Sequence, residues 1–525
     1  MRRRSRWFVV PALIGLLHVP AVADDFSIEL TPIGTYASGI FNNGGAEIVA
    51  HDPGKQRLFV VNLADVSIDV LSIKNPTTPT LLFSISVAPY GNQANSVAVQ
   101  GKIVAMAVQN DIKTDPGKAV FFDTDGNFLS AVTVGALPDM ITFTPDGKKV
   151  LVANEGEPNG AYTIDPEGSV SIIDISRGAA KVTQKDVITA GFRAFNNAVL
   201  DPSIRIYGPN ATVAQDLEPE YITVASSSKE AWVTLQENNA VGVLDLKKGA
   251  FTKLIGLGFK DRTIPGAGMD ASDRDNAINI ANWPVHGMFQ PDAIANFRFS
   301  GETFLVTANE GDARAYPGFN EEVRVNELTL DPVAFPNAAA LKQNAALGRL
   351  RVTNAKGDPD DDDDFDALFA FGARSFSIWT AAGDLVYDSR DDLERKTAEA
   401  LPSEFNSNHD ANNSFDTRSD DKGPEPEGVT LGQISGHTYA FVGLERIGGI
   451  MVYEVTNPYT PQFVQYVNNR NFAGNPAAGT AGDLGPEGLH FIEGKKSPNQ
   501  NPLLVVANEI SGTTTIFQIS RRLQR

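Results

Sequence analysis

Apolar residues in this chain occur in short runs that alternate with polar residues or end at a turn. Two such runs joined by Asp-Gly, Asp-Pro-Gly or Ser-Gly recur, as in 138–154 (PDMITFTPDGKKVLVAN) and 291–309 (PDAIANFRFSGETFLVTAN). This pattern predicts antiparallel β-hairpins. Helical periodicity is scarce, and 337–349 (NAAALKQNAALGR) is the best helix candidate.

The hairpin belongs to a larger unit that occurs seven times. Each copy has a turn with a small or acidic residue, a first strand, a second strand closed by polar and acidic residues, and a third strand. The copies open at 45–47, 95–96, 138–139, 219–220, 291–292, 426–427 and 486–487. Regular units of short strands predict an all-β fold, a seven-bladed β-propeller with long inserted loops and ring closure between the first and last units. A β-sandwich with chance internal similarity is the alternative.

The chain is longer than seven blades need, because a propeller blade takes about 40–50 residues. We place the surplus in segments rich in Gly, Pro, Asn and Asp, which are typical of loops. These insertions lie near 177–217, 249–290, 313–370, 384–423 and 465–484. Binding and catalytic residues concentrate in such loops.

The first 23 residues have the pattern of a signal peptide. A basic start, Met1 to Arg6, precedes an apolar run from Trp7 to Leu17 and the A-x-A motif at 21–23. We therefore expect residues 24–525 to form a single exported propeller domain with no membrane span after cleavage, located in the periplasm or secreted. A retained N-terminal anchor is the alternative.

Composition narrows the function classes. The chain of 525 residues has 64 acidic and 44 basic side chains, a formal net charge of −20, and no cysteine. Disulfide scaffolds, thiolate zinc sites and cysteine nucleophiles are excluded. The acidic balance argues against nucleic acid as a partner and suits hard cations, which carboxylates bind.

Acidic residues recur at the two places in each unit that a propeller brings together. The first strand of a blade lines the central channel, and the end of the second strand lies beside its start. The predicted inner ring is Glu47, Asp139, Glu220, Asp292, Glu427 and Glu487, with Ser96 in the seventh place. The predicted second ring is Asp65, Asp111, Glu155, Glu237, Glu310, Glu445 and Glu509.

Crowded carboxylates repel one another unless a cation is present. We therefore predict a Ca²⁺ site at the mouth of the channel, with neutral oxygens from Asn154, Asn309 and Asn508. The candidate metal ligands are Glu47, Asp139, Glu155, Glu220, Asp292, Glu310, Glu427, Glu487 and Glu509. Alternatively, these acids accept hydrogen bonds from neighbouring blades and staple the ring.

Basic residues interrupt the acidic ones at Arg314, Arg418, Lys422 and Arg446. Beside a cation they could hold a small anionic ligand, or they could only balance the charge of the ring. The alternating acids of 358–366 resemble a calcium loop in character, but lack the sixth-position Gly and closing Glu of an EF-hand. A solvated loop is the alternative there.

Familiar catalytic motifs are missing: there is no H-E-x-x-H, G-x-S-x-G, P-loop or complete dinucleotide fingerprint. Catalysis would then depend on a metal and carboxylates. Its candidate residues are Glu427, Glu487, Glu310, Asp312 and Arg314. In this hypothesis Gly in the Pro-Glu-Gly turns permits close backbone approach, and Arg314 steadies an anionic oxygen, so that Arg314→Ala should affect ligand binding more than stability.

Four segments carry a family resemblance: 308–314 (ANEGDAR), 371–379 (FGARSFSIW), 414–429 (SFDTRSDDKGPEPEGV) and 485–489 (GPEGL). They resemble the choice-of-anchor I domain family, which is related to mesenchyme-specific cell-surface glycoproteins. The resemblance covers about 27–520 and implies an exported β-propeller, often attached by a C-terminal anchor. Since the sequence stops at Arg525 without a sorting signal, a soluble exported form is implied. Some relatives are labelled alkaline phosphatases, and the Pro-Glu-Gly turns look like those of phytase-like propellers.

Two functions agree with these observations. The first is an exported, monomeric surface or binding scaffold with a calcium-bound acidic funnel, whose partner is a small anionic ligand or an extracellular molecule. The alternative is a calcium-dependent phosphoesterase.

Overall fold

The computed structural model describes residues 26–523, so the predicted signal peptide lies outside the described residues. Within that range, seven four-stranded antiparallel sheets follow one another along the chain, and we number them in order of their first strands. The strands of each sheet are given in their spatial order: sheet 1 has Val49–Asp52, Arg57–Asn62, Ser67–Ser72 and Thr80–Ser86; sheet 2 has Gln93–Gln100, Ile103–Gln109, Pro116–Asp123 and Phe128–Ala136; and sheet 3 has Pro138–Phe143, Lys149–Asn154, Ser169–Asp174 and Val187–Gly191. Sheet 4 has Pro219–Val224, Glu230–Leu235, Ala240–Asp245 and Ala250–Gly256, and sheet 5 has Ile294–Phe299, Glu302–Asn309, Ser375–Thr380 and Leu385–Asp388. Sheet 6 has Pro426–Ile434, His437–Leu444, Ile450–Glu454 and Gln462–Val467, and sheet 7 has Pro486–Ile492, Leu503–Asn508, Thr513–Leu523 and Phe26–Ala37.

The sheets are arranged as a ring. The first strand of each sheet contacts the first strand of the next, and that of sheet 7 contacts that of sheet 1. Apolar side chains between neighbouring sheets form the core, for example Val104 and Phe59 between sheets 1 and 2. The prediction of an all-β propeller is confirmed. The count of seven blades stays a prediction, and the seven four-stranded sheets agree with it.

The two ends of the described chain meet in sheet 7. Its outermost strand is the N-terminal Phe26–Ala37, which pairs antiparallel with the C-terminal strand Thr513–Leu523. Ile28 and Leu30 point from it into the core, whereas Glu29 is exposed. This pairing ties the ends of the chain into one sheet.

The predicted insertions contain strands that the sequence analysis did not find. Segments 177–217, 249–290 and 384–423 hold the outermost strands of sheets 3, 4 and 5, and Gln462–Val467 of sheet 6 runs into 465–484. These edge strands are largely exposed, as in Val187–Gly191 and Ala250–Gly256. They therefore lack the apolar pattern by which buried strands are recognised.

The loops following sheet 4 and within sheet 5 build a small module with a core of its own. Its sheet joins Phe259–Asp261, His286–Met288, Phe369–Ala370, Arg351–Thr353 and Glu322–Arg324, and a separate hairpin pairs Ala315–Tyr316 with Phe319–Asn320. Leu341, Leu347 and Leu350 pack together in that core. The helix predicted over 337–349 is limited to Ala338–Leu341, because the chain turns back there to bury these leucines.

Helical structure is minor in the described residues. The α-helices are Val213–Asp216, Ala338–Leu341 and Asp392–Ala400, and the 3₁₀ turns are Ala179–Lys181, Gln184–Asp186, Arg193–Phe195, Val325–Glu327 and Gly494–Lys496. Among residues 26–523, no helix is long and apolar enough to cross a membrane.

We predict that closure through the N-terminal strand contributes strongly to stability. Leu30→Ala, which leaves a cavity in the core between sheets 6 and 7, should cost about 2–4 kcal/mol. Glu29→Ala, its exposed neighbour, should change stability by less than about 0.5 kcal/mol. Chemical denaturation of both variants measures the difference, and equal losses would contradict this role of the strand.

Candidate functional site

A cavity of about 370 Å³ opens where the first strands of the sheets converge, and we call it the funnel. Its lining is dominated by carboxyl groups. They are Asp139, Glu155, Glu220, Asp292, Glu310, Asp312, Glu427, Glu445, Glu487 and Glu509, accompanied by Ser96, Tyr221, Gln236, Lys422 and Arg446. Of the predicted metal ligands, Glu47 alone is absent from this lining, and one of its oxygens lies within 4.8 Å of oxygens of Glu487 and Glu509.

A local irregularity of the first strand positions many of these acids. In sheets 3, 4, 6 and 7 the pairing with the second strand shifts register just after the proline that precedes the acid, as between Pro138 and Ile141. Sheet 2 shows the same shift between Ala94 and Ser96. Since a β-bulge redirects side chains, the recurrent Pro-acid turn presents its polar side chain to the funnel.

The glycines of the Pro-Glu-Gly turns are needed for packing between sheets. A Cβ on Gly428 would lie 2.1 Å from the carbonyl oxygen of Glu487, and one on Gly488 would lie 2.3 Å from that of Glu47. The close backbone approach predicted at these glycines therefore occurs between each glycine and the backbone of the neighbouring sheet.

Three carboxylates form a compact group where sheets 7 and 1 meet, and we call it the closure triad. Glu47, Glu487 and Glu509 each offer an oxygen within 4.8 Å of the others. Among the described residues, none of them pairs with a lysine or arginine within 4.0 Å, and Oε2 of Glu487 is buried without a hydrogen-bond partner. Three converging carboxylates can supply part of the six to eight oxygen ligands that calcium takes.

A second set of acids lies on sheets 3, 4 and 5, and we call it the far wall: Asp139, Glu155, Glu220 and Asp292. Glu220 is 8% exposed, and its Oε2 has no hydrogen-bond partner. Within residues 26–523 these four acids likewise make no ion pair with a lysine or arginine, whereas Glu157 and Glu218, whose charges act on Glu155, are paired with Lys113 and Arg314. An unpaired carboxylate at this depth is costly.

Burial and mutual repulsion raise the pKa values of these groups. Burial first, then the charges of Glu157 and Glu47, raises the pKa of Asp139 to about 7. Burial and the neighbouring Glu47 raise the pKa of Glu509 to about 9. The pKa values of Glu155, Glu220, Asp292, Glu427 and Glu487 are raised well above normal for the same reasons. Without a cation, these carboxyls hold protons that a cation would displace.

Basic side chains neutralise one sector of the funnel, which we call the basic sector. Lys422 donates to Glu310 at 2.6 Å and lies 3.2 Å from Glu425. Arg446 lies 2.9 Å from Glu425 and 3.1 Å from Glu445. These cations hold the pKa of Glu425 far below its usual range even though burial opposes this. The acids of this sector already have counter-ions, so a metal is not needed there.

Two residues of this region, Glu425 and His409, were not among the predicted site residues. Glu425 precedes Glu427 by two residues in the same Pro-Glu-Pro-Glu-Gly stretch, and that doubling was the available signal. His409 comes from the insertion at 384–423, and its Nδ1 lies 2.7 Å from Oε1 of Glu445. No motif spacing in the sequence could connect His409 with Glu445.

Arg314 does not reach the funnel, contrary to the prediction. It is 1% exposed and makes ion pairs with Asp216 at 2.5 Å and Glu218 at 3.1 Å, over the ring of Tyr207. Two buried carboxylates therefore hold it inside the structure. Asp312, which was predicted as a candidate catalytic residue together with Arg314, lines the funnel with 60% of its side chain exposed.

The asparagines predicted as neutral metal ligands have structural partners. Asn154 donates to the hydroxyls of Ser169 and Ser171, Asn309 to those of Ser375 and Ser377, and Asn508 to that of Thr513. All three are buried inside their sheets. They fasten the second strand to the third and do not line the funnel.

Three acids of the predicted second ring are also outside the funnel lining. Asp65 and Asp111 are exposed, and Glu237 is buried. In the acidic loop, Asp358, Asp360 and Asp362 form one group of converging oxygens, and Asp331, Asp364 and Asp366 form another. Asp360 and Asp362 are exposed in the first group and Asp366 in the second, and the remaining members are half-buried.

Comparison with known proteins places the chain in a family. The family model described as choice-of-anchor I domain matches residues 47–458, about four fifths of the chain. A mesenchyme-specific cell surface glycoprotein of Strongylocentrotus purpuratus is 29% identical over 282 residues, which are 47% of this chain and 36% of that protein. Gigasin-3a of Magallana gigas is 28% identical over 191 residues, 34% of this chain and 67% of that protein. The match thus spans little more than a third of the first relative's length.

Solved structures resemble the chain at low sequence identity. Hydrazine synthase of Kuenenia stuttgartiensis is 11% identical with a TM-score of 0.47, covering 92% of this chain and 99% of that one. The Cps50 (Swd1) β-propeller domain of Myceliophteria thermophila is 10% identical with a TM-score of 0.46, covering 94% and 100%.

We predict that Arg314→Ala acts on stability, because it leaves Asp216 and Glu218 buried without their counter-ion. The loss should be about 3–5 kcal/mol. Arg298→Ala, which removes an exposed arginine, serves as the control and should change stability by less than about 0.5 kcal/mol. Denaturation midpoints test this, and a stable Arg314→Ala protein would contradict the assignment.

Proposed function

Since the chain belongs to the choice-of-anchor I domain family, we propose that it is an exported surface propeller that binds calcium in its funnel and presents its inserted loops to a partner. A relative that is itself a cell surface glycoprotein supports the location. The family match and the strand topology support a rigid ring carrying long loops, which is the architecture of a binding scaffold.

The closure triad is the observation that carries the calcium proposal. Its ligands are all carboxylate oxygens, which calcium prefers, and the described residues provide them with no lysine or arginine counter-ion. Glu47 belongs to the beginning of sheet 1, whereas Glu487 and Glu509 belong to sheet 7. A cation held between them would link the first and last sheets of the ring.

We predict that calcium stabilises the protein more strongly as the pH rises. The raised pKa values mean that the folded, cation-free protein binds more protons than the unfolded chain, so its stability falls as pH rises from 7 to 9. Each carboxyl that remains protonated contributes about 1.4 kcal/mol per pH unit to this loss. Calcium replaces those protons, and the gain in Tm over chelator should therefore be larger at pH 9 than at pH 7.

Differential scanning calorimetry with calcium and with chelator measures this effect. His51 and His490 do not obscure it, because burial lowers their pKa values to about 4 and both are neutral in this pH range. Glu487→Gln should remove most of the calcium-dependent gain, and Glu29→Gln on the exposed edge strand should retain it. A Tm that is independent of calcium at both pH values would overturn the proposal.

A second candidate function, metal-dependent phosphoester hydrolysis, is favoured by one observation. Lys422 and Arg446 line the same cavity as the acids that have no lysine or arginine partner. An anionic group and a metal cation could therefore be held together there. A bound cation would polarise a phosphoryl oxygen. In this hypothesis Lys422 and Arg446 take the place first assigned to Arg314, and Glu310, Asp312, Glu427 and Glu487 keep their predicted places in the lining.

The enzymatic hypothesis predicts calcium-dependent cleavage of a simple phosphomonoester. Glu427→Gln keeps the shape of the side chain while removing its charge, and should abolish turnover without lowering Tm, because it removes a raised-pKa carboxyl. Glu29→Gln is the matched control. The absence of turnover in wild-type protein with calcium would leave the scaffold function alone.

A further inference from the structure

The insertions at 249–290 and 384–423 share a buried polar cluster. Asp270 comes from the first insertion, and Asn406 and Asp416 come from the second. Asp270 and Asn406 are fully buried, and Asp416 is 3% exposed. None of the three lines the funnel. The cluster therefore needs an explanation of its own.

A continuous series of hydrogen bonds joins the two insertions at this cluster. Ser419 donates its hydroxyl to Oδ1 of Asp416 at 2.6 Å and accepts from the amide nitrogen of Asn406 at 2.9 Å. Asn406 also donates to Oε1 of Glu394 at 3.0 Å. Oε2 of Glu394 accepts from the backbone N–H of Asp270 at 3.3 Å. Asp270, Asn406 and Asp416 are thus parts of one network.

Two oxygens of this network have no hydrogen-bond partner: Oδ2 of Asp416 and Oδ1 of Asn406. The orientation of the Asn406 amide follows from its partners, because a flipped amide would place its oxygen against the carboxylate of Glu394. Ser419 cannot satisfy this oxygen, since its single hydroxyl proton goes to Asp416. One charged and one neutral oxygen, both buried, are costly unless a ligand completes them.

The cluster also has an excess of negative charge. Among residues 26–523, Asp270, Asp275 and Asp416 make no ion pair with a lysine or arginine, whereas Glu394 in the same network pairs with Arg374 at 2.8 Å. Burial first, then the charges of Asp270 and Asp275, raises the pKa of Asp416 to about 7. The half-buried Asp275 therefore faces the same space from the first insertion.

We infer that a calcium ion binds between the two insertions, on oxygens of Asp270, Asp275, Asn406 and Asp416. Carboxylate oxygens together with an amide oxygen are the ligand set that calcium takes. The ion neutralises the unpaired acids and gives the two free oxygens a partner. This site goes beyond the proposed function, because it is built from other residues than the closure triad and does not depend on calcium in the funnel.

The ion braces the segment that supplies the basic sector. Lys422 follows Asp416 in that segment and donates to Glu310 in the funnel. Arg374 donates to the carbonyl oxygen of Ser419 at 2.8 Å and holds the same segment from the side of sheet 5. A cation on Asp416 therefore fixes the loop from which Lys422 reaches the funnel.

Hydrogen exchange measured by mass spectrometry, in calcium and in chelator, tests the site where it lies. In wild-type protein the amides of 270–279 and 405–419 should exchange faster in chelator by about 10-fold or more, because the ion holds both segments closed. Asp416→Asn keeps the shape of the side chain and an acceptor for Ser419 but removes the charge, and should abolish this difference. Asp360→Asn, which changes an exposed acid, is the matched control and should retain it.

Asp275→Asn provides a second variant in case Asp416→Asn does not fold. Asp275 is only half-buried, and asparagine can still accept from the backbone N–H of Ala277 as Asp275 does at 3.1 Å. The fold should therefore be retained, which circular dichroism checks. The calcium concentration that gives half of the protection should rise by about 10-fold.

Glu487→Gln separates this inference from the proposed function. It changes the closure triad, so it should leave the calcium-dependent protection of 270–279 and 405–419 intact. Loss of that protection in Glu487→Gln would assign it to the funnel and overturn the new site. Exchange that does not respond to calcium in wild-type protein would also overturn it, as would protection that persists unchanged in Asp416→Asn or Asp275→Asn. The calcium-dependent Tm at the triad is a separate measurement, and none of these outcomes decides it.

Discussion

Repulsion among buried carboxyl groups is the constraint around which the funnel is organised. A ring fold brings the same position of every repeat to one axis, and in this chain that position is mostly acidic. Like charges at close range and low exposure cannot all remain ionised without compensation. The chain solves this in the basic sector with Lys422 and Arg446, and leaves the closure triad and the far wall to protons or cations.

The same electrostatic rule explains how the long loops are attached. Arg314 is held by Asp216 and Glu218, and Arg374 by Glu394 at 2.8 Å, each pair almost fully buried. The partners of Arg314 lie nearly 100 residues away along the chain and that of Arg374 lies 20 residues away, and each partner satisfies a charge that would otherwise be costly to bury. The loops are therefore fixed parts of the structure beside the funnel. The closure triad has no arginine or lysine partner within 4.0 Å among the described residues, and that difference is why we propose a cation there.

The position of a residue can be predicted from the sequence where it follows from the residue's own strand. The Pro-acid turn and the apolar strand behind it were sufficient to predict Asp139, Glu220 and Glu427 at the mouth of the ring, and all three line the funnel. A residue's role cannot be predicted in this way where a partner from another segment decides it. Arg314 is drawn away from the funnel by Asp216 and Glu218, and Asn154 is used by Ser169 and Ser171. The outer strands escaped notice because exposed edge strands need no continuous apolar pattern.

By itself, the sequence determined the repeat, the all-β class and the acidic character of the channel mouth, because hydrophobic alternation and turn residues act over a few neighbouring positions. Only the tertiary structure decided which acids receive a counter-ion. Glu310 and Glu509 each follow an Asn at the end of a second strand, yet Lys422 donates to the first, while no lysine or arginine of the described residues lies within 4.0 Å of the second. That difference depends on how a loop from 384–423 folds back onto the ring, and contacts over such distances along the chain leave no local pattern in the sequence.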